Sequence, residues 1–292
     1  MNIKRGIIIK GVGGAYEICL ENHEVVGAKP RGLFRNTGTV PTVGDQVEIE
    51  ESGDPDFPYM ITEIYPRKNI LVRPPISNLD TLVITISAKM PKPDYTLIDK
   101  LLILCGKNKI HPVIWITKID LAPKKADEIG IMYGKAGFTI VMSSMEMDIK
   151  SIFPEELYAK KIISFAGQSG VGKSTLCNAL VQSEFMEVGA VSKKLKRGKH
   201  TTRHVELIPF GNGYIADTPG FSSLRLPDLG IETNDVILGY PELAQIQDQC
   251  RFQDCKHIGE EGCAEDQAEI DEQRFNRYRE FVSQLQQMKK YT

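Results

Sequence analysis

The stretch Gly167-Gln168-Ser169-Gly170-Val171-Gly172-Lys173-Ser174 constrains this chain more than any other. It follows the apolar run Ile162-Ile163-Ser164-Phe165-Ala166 and leads into Thr175-Leu176-Cys177-Asn178-Ala179-Leu180. A short strand, a glycine-rich turn ending in Lys-Ser and an amphipathic helix supply what a phosphate chain needs: convergent backbone N–H groups, a helix N-terminus, one ammonium and one hydroxyl for Mg²⁺. The segment reads as a P-loop. Residues 167–175 are then nucleotide contacts, with Lys173 on the transferred phosphoryl group and Ser174 on the metal. Such loops usually open their domain, whereas this one begins after residue 160, so the first half of the chain needs its own account.

Apolar runs alternate with helical patterns around the loop. Residues 81–87, 112–117, 138–143, 162–166, 204–210 and 213–217 read as strands, and residues 96–107 place Leu97, Leu101 and Leu104 on one helical face. Nearly continuous apolar strands joined by helices make a parallel sheet covered on both faces. A six-stranded α/β domain is expected over residues 76–225, with a further helical stretch over 146–160.

Three more signals lie at the ends of those strands, where α/β sheets bind ligands. In Asp217-Thr218-Pro219-Gly220 the carboxylate can enter the Mg²⁺ shell and the Gly220 N–H can meet the γ-phosphate. In Thr117-Lys118-Ile119-Asp120, Asp120 can accept hydrogen bonds from guanine N1–H and the exocyclic amine, a donor pair that adenine lacks on that edge. Ser143-Ser144 resembles the loop whose backbone N–H reads guanine O6. Thr117 stands where an Asn is usual, which bears on a hydrogen bond bridging two loops. The order is therefore guanine box, Ser-Ser loop, P-loop, switch I region, Asp-x-x-Gly. In the usual GTPase the P-loop comes first, so the domain is circularly permuted, a rearrangement tolerated where the original termini lie close together.

Residues 1–68 carry about five short strands, at 6–10, 15–20, 23–28, 46–50 and 59–64, separated by Gly, Pro, Asn and Asp turns. That spacing predicts an OB-type barrel. With a formal net charge of −2, the chain has no bulk attraction to nucleic acid, so RNA binding must come from local patches. Lys29, Arg31 and Arg35, with Phe34 beside them, form one candidate. A second is the segment from Val191 to His204, which holds Lys193, Lys194, Lys196, Arg197, Lys199 and Arg203 and no acidic residue. Residues 65–76, with Pro66, Pro74 and Pro75, read as a stiff linker. The N-terminal apolar run is too short for a signal peptide and no stretch of 18 apolar residues occurs, so a cytoplasmic protein with no membrane partner is expected, as a monomer.

Catalysis is less fully specified. Regulatory GTPases carry a water-orienting Gln after Asp-x-x-Gly, and here that place holds Phe221. His200, in the basic segment, is the candidate that orients or deprotonates water; contact with RNA phosphate or capping of the loop is its other reading. Thr201 or Thr202 supplies a hydroxyl to Mg²⁺, with Thr202 preferred.

Near the C-terminus, Cys250, Cys255, His257 and Cys263 fall within fourteen residues. Three thiols and an imidazole can close a tetrahedral Zn²⁺ shell with no open position, which describes one structural zinc. A helix follows over 265–290, with Arg274, Arg277 and Arg279 expected to be available to RNA. Residues 226–292 thus form a mostly helical, zinc-binding domain.

A barrel, a permuted GTPase with these motifs and with Gly198-Lys199-His200-Thr201-Thr202-Arg203-His204, and a Cys/His cluster together resemble the ribosome small-subunit-dependent GTPase A family (RsgA, also called YjeQ or YloQ). The resemblance covers essentially the whole chain. It implies a bacterial GTPase that binds the small ribosomal subunit and its rRNA late in assembly, with low basal hydrolysis stimulated by the subunit. A GTP-gated RNA-binding module without hydrolysis is the alternative that Phe221 favours, and an ATP-dependent enzyme is a third.

Overall fold

The computed structural model describes residues 3–32, 34, 38–158, 162–188, 205–217 and 224–289. In chain order the strands are β1 (Lys4–Val12), β2 (Ala15–Leu20), β3 (Val25–Pro30), β4 (Gln46–Glu51), β5 (Tyr59–Ile64), β6 (Ile70–Val72), β7 (Pro75–Ser77) and β8 (Thr81–Ser87). Helix α1 (Tyr95–Asn108), β9 (His111–Thr117), α2 (Pro123–Lys135), β10 (Thr139–Ser143), α3 (Ile149–Ile152) and α4 (Glu155–Tyr158) follow. The P-loop region contributes β11 (Ile162–Ala166) and α5 (Lys173–Val188), and β12 (Glu206–Phe210), β13 (Gly213–Asp217), α6 (Pro241–Ala244) and α7 (Glu272–Lys289) complete the described strands and α-helices. Two compact units result. The first holds Met1–Thr81, Pro154–Phe165 and Cys177–Pro219, and the second Leu82–Phe153, Ala166–Leu176 and Gly220–Thr292.

In the first unit, alternation of apolar and polar residues closes the barrel. Ile8, Ile18, Val47, Ile49 and Ile61 point inward and are fully buried. Strand β1 pairs with both β2 and β4, β3 pairs in parallel with β5, and β5 returns to β4, giving the expected five-stranded OB-type order. A bulge between Ile8 and Lys10 bends β1. Its first half faces β4, while Lys10 near its end pairs with Glu206 of β12. Strand β12 continues antiparallel to β13, which lies parallel to β11.

Residues 65–76 correct the expectation of an extended linker. The Arg67 guanidinium grips the fully buried Asp45 carboxylate through two hydrogen bonds of 2.7 Å, and β6 and β7 form a small antiparallel hairpin. Leu71 and Ile76 face each other and are buried, so two apolar side chains outweigh the extended bias of Pro-Pro.

The second unit contains the sheet order β10-β9-β8, with β9 and β10 parallel in the register Val113↔Thr139 to Thr117↔Ser143. Every residue of β8 is buried, as a strand covered on both faces requires. Helix α1 starts at Asp94, whose carboxylate accepts the Leu97 N–H at 2.9 Å, and ends on Lys109 in the left-handed region. The 146–160 stretch holds two single-turn helices, α3 and α4, rather than one, since Pro154 follows the first and has no N–H to continue it.

Helix α7 begins at Glu272, later than expected, because Asp271 caps it by accepting the N–H groups of Gln273 and Arg274. Arg274 and Arg277 are also a correction. Arg274 is fully buried, bound to Asp99 of α1 at 2.6 Å and to Glu242 of α6 at 2.9 Å, with its guanidinium stacked against Tyr240 and Tyr133. Arg277 binds the other Asp99 oxygen at 2.5 Å, and Arg279 binds Glu265 at 2.6 Å. Helix periodicity puts Arg274, Arg277, Tyr278 and Phe281 on one face, and that face is turned inward. Among the described residues, no helix is long and apolar enough to cross a membrane.

Candidate nucleotide and metal sites

The P-loop starts where β11 ends. Gly167 has φ +136°, and a Cβ there would collide with the Thr85 carbonyl oxygen of β8, so only glycine lets the chain turn against that strand. Val171 is buried beneath the turn, while Ser169 and Gly170 are exposed and Gln168 and Gly172 half-buried. The N–H of Leu176 donates to the Gly172 carbonyl at 2.9 Å, so α5 is already wound at Lys173 and Ser174. This puts Ser174 and Thr175, both exposed, in the first turn, where unpaired N–H groups and the helix dipole favour phosphate. The Lys173 ammonium folds back over the loop, donating to the carbonyls of Gly167 at 2.8 Å and Gln168 at 2.6 Å, and burial lowers its pKa.

The guanine box is wired to this loop. Thr117, buried at the end of β9, donates its hydroxyl to the Val171 carbonyl at 2.7 Å, so the shorter side chain still makes the bridge between loops. Lys118, in the left-handed region at φ +57°, donates to the Gly170 carbonyl at 2.9 Å and to that of Met90. Two backbone loops are thereby held by one ammonium. The next residues form a single 3₁₀ turn, Ile119–Leu121, which presents Asp120 on the surface. At the end of the adjacent strand the Ser143 hydroxyl is turned inward and accepts the buried Trp115 indole N–H at 2.8 Å, while Ser144 is half-buried. The sheet thus brings Thr117, Lys118, Asp120, Ser143 and Ser144 to the strand ends of one unit that also holds the P-loop.

Asp217 ends β13 in the first unit, half-buried and in register with Glu206. Gly220, His200, Thr201, Thr202, Arg35 and the cations at 193, 194, 196, 197, 199 and 203 lie outside the described residues. Of the barrel candidates, Lys29 sits on β3 rather than in a loop, with its ammonium 3.9 Å from the Phe57 ring centroid and 3.6 Å from Asp54. Arg31 is exposed just after that strand, its backbone N–H on the Ile61 carbonyl.

The Cys/His cluster converges. The candidate ligand atoms of Cys250, Cys255, His257 and Cys263 all lie within 4.8 Å of one another. His257 Nδ1 is 3.7 Å from Cys250 Sγ and 3.4 Å from Cys263 Sγ. A tetrahedral zinc shell with ordinary Zn–S and Zn–N bonds places its ligand atoms about 3.5 Å apart, so the residues fit the metal. His257 Nε2 lies 2.7 Å from Gln247 Oε1, a contact that assigns Nδ1 to the metal side and Nε2–H to the amide. The same Gln247 donates to the carbonyls of Gln253 and Cys255, which secures it. Burial lowers the pKa of His257 and pushes the Cys263 thiol up to about 12. The imidazole is therefore ready as a neutral ligand, whereas the thiol must lose its proton to a metal.

Sequence reasoning passed over Met90, Gln247 and Asp99. A backbone carbonyl such as that of Met90 leaves no trace in residue type. Asp99, by contrast, sits between Ile98 and Leu101 on the apolar stripe of α1, where a carboxylate signals a buried cationic partner.

Comparison with known proteins identifies the family. The model of the RsgA GTPase family matches residues 64–227, and that of the RsgA N-terminal domain matches residues 5–56. A curated relative from Ruminiclostridium cellulolyticum, the small ribosomal subunit biogenesis GTPase RsgA, is 41% identical over 98% of this chain and 95% of its own length. The protein of the same description from Streptococcus pyogenes is 40% identical over 97% of this chain and 95% of its own. Two solved structures align along nearly the full length with TM-scores of 0.79: YloQ, a circularly permuted GTPase, at 31% identity over 98% of this chain and 96% of that one, and YjeQ from Thermotoga maritima, at 30% over 97% and 99%. With its permuted order of guanine box, P-loop and Asp-x-x-Gly, the chain belongs to the RsgA family of GTPases.

Proposed function

We propose that this GTPase acts in the cytoplasm during late maturation of the small ribosomal subunit, hydrolysing GTP slowly alone and faster on the subunit. The observation that carries this reading is the 41% identity to a small-subunit biogenesis GTPase across nearly the whole of both chains. In the proposed division of labour, residues 1–68 and the basic 191–204 segment contact rRNA, residues 76–225 bind and hydrolyse GTP, and residues 226–292 are organised by zinc. Lys29, Arg31 and Arg35 belong to the first surface, and Lys193, Lys194, Lys196, Arg197, Lys199 and Arg203 to the second.

Guanine is read by Asp120 and by the backbone at Ser144, with the Lys118 stem as its support. The first turn of α5 receives the phosphates, and Lys173 leaves its two loop carbonyls for the β- and γ-phosphates when nucleotide enters. That exchange of weak acceptors for a full negative charge favours binding. Ser174, Asp217 and a Thr201 or Thr202 hydroxyl hold the Mg²⁺ that accompanies GTP, which neutralises charge on the phosphate chain. Gly220 contacts the γ-phosphate through its N–H, and His200 orients the attacking water once RNA orders its loop. Activator-completed sites of this kind gain roughly 10³–10⁵ in rate.

Phosphate release from GTP and from ATP, with and without purified small subunits at two salt concentrations, tests the reading. GTP alone is expected to turn over, with a subunit-dependent increase that shrinks at higher salt. Equal use of ATP by the native protein, or unchanged GTP preference after Asp120→Asn, removes the guanine assignment. No increase with subunits removes the ribosomal one.

A further inference from the structure

We infer that Glu260, which lies between two members of the cysteine cluster without being one, is a positioning residue that sets His257 for the metal. The inference rests on the reading of Cys250, Cys255, His257 and Cys263 as a zinc site. His257 has φ +53°, in the left-handed region that residues with a Cβ rarely adopt, and such a conformation persists where its surroundings enforce it. The Glu260 carboxylate is placed to enforce it. One oxygen accepts the Lys256 N–H and the other the Ile258 N–H, both at 2.8 Å. A left-handed residue between two such N–H groups turns both to the same side and makes a main-chain cradle for an anion. Glu260 fills that cradle from within the chain, and Gly259, at φ +104°, supplies the reversal that brings it back.

The turn fixed in this way decides where the imidazole goes. His257 is fully buried, its Nδ1 toward the thiols of Cys250 and Cys263 and its Nε2 on Gln247. Tyr278 of α7 holds the same turn from outside by donating to the Lys256 carbonyl at 2.8 Å. The main chain of Glu260 serves the next ligand, since its carbonyl accepts the Cys263 N–H at 3.1 Å. With both carboxylate oxygens turned to backbone donors and four ligand atoms already converged, Glu260 acts through the histidine rather than as a fifth ligand.

A glutamate that merely supports the loop and one that positions a ligand differ in what happens once the ligand is gone. The test uses the full chain, stripped of metal and titrated with zinc against a chromophoric chelator, and in parallel loaded with cobalt(II), whose visible absorption reports its ligands. Glu260→Gln keeps the shape and turns an amide NH₂ toward one of the two N–H groups. It is expected to weaken zinc about tenfold, the scale of lost support behind a metal ligand, and to move the cobalt ligand-field bands toward those of His257→Ala. In a His257→Ala background the same substitution is expected to cost no further affinity. Unchanged zinc affinity, native ligand-field bands, or equal losses in both backgrounds overturn the inference. Where Glu260→Gln does not keep its fold after stripping, Glu260→Asp, which retains the charge on a shorter stem, is read by the same cycle. Native protein that binds neither zinc nor cobalt, with no thiolate absorption, removes the zinc reading and this one together, whereas native binding beside an indifferent Glu260→Gln removes this one alone.

Discussion

At the scale of single residues, the nucleotide site depends on polar contacts that stitch backbone to backbone. Thr117 does with one hydroxyl what a longer amide does elsewhere, because it is buried under the loop and only 2.7 Å from the Val171 carbonyl. Thr117→Val keeps the shape and deletes the donor, leaving a buried carbonyl unsatisfied. Such a loss costs about 1–3 kcal/mol. Because the cost falls on the P-loop itself, GDP and GTP affinity are both expected to drop about tenfold by calorimetric titration, and the melting temperature of the nucleotide-free protein to fall by a few degrees. An unchanged affinity for GDP would show that the bridge is dispensable. The role of the position was legible in the sequence, since Thr117 occupies the first place of a recognisable box. Its partner was not, because that partner is a main-chain carbonyl made available by the turn at Gly170 to Gly172. The same holds for Lys118, whose residue type announced a guanine box while its hold on Met90 required the fold.

Among the elements, those with strong periodicity matched their expected positions closely. The apolar runs became β8, β9, β10, β11, β12 and β13, and the α1 stripe of Leu97, Leu101 and Leu104 became buried. Elements whose form depends on contacts distant in sequence were misread. The β6–β7 hairpin exists because Leu71 and Ile76 find a core, and the inward face of α7 exists because Asp99 and Glu242 wait for it. Helix periodicity identifies which arginines share a face but not whether acids meet them. This gives Arg274 a definite energetic meaning. Removal of one partner from a buried ion pair typically costs about 3–5 kcal/mol, because the remaining charge is stranded. Arg274→Met strands the Glu242 carboxylate and leaves Asp99 with Arg277 alone, so denaturant unfolding followed by the fluorescence of Trp115, which lies in the same unit, is expected to show a loss of that order. RNA affinity is expected to be unchanged, since the side chain is fully buried.

At the scale of the whole chain, the permuted order places Asp217-Thr218-Pro219-Gly220 ahead of the part of the sequence that carries the cysteine cluster. That part has little core of its own: between residues 241 and 271 the helices are single turns, and the cluster of ligands is the feature that brings its loops together. Metal and protons therefore compete for control of its stability. Without metal, burial raises the Cys263 thiol from its unfolded value of about 8.5 to about 12, so the folded form holds its proton more tightly than the unfolded chain does. That contribution is complete below pH 8.5 and disappears as pH rises toward 12, which makes the metal-free protein less stable in alkali. Zinc reverses the sign. A bound thiolate has a folded pKa far below 8.5, so its stabilisation is present at neutral and alkaline pH and is lost as pH falls and protons displace the metal. Melting curves taken from pH 6 to pH 10, on zinc-loaded protein and on protein stripped with a chelator, are expected to slope in opposite directions. Limited proteolysis should cut the stripped protein within residues 241–271 before it cuts the barrel. Parallel slopes would mean that the thiols carry no metal, and the cluster would then have to be explained by packing alone.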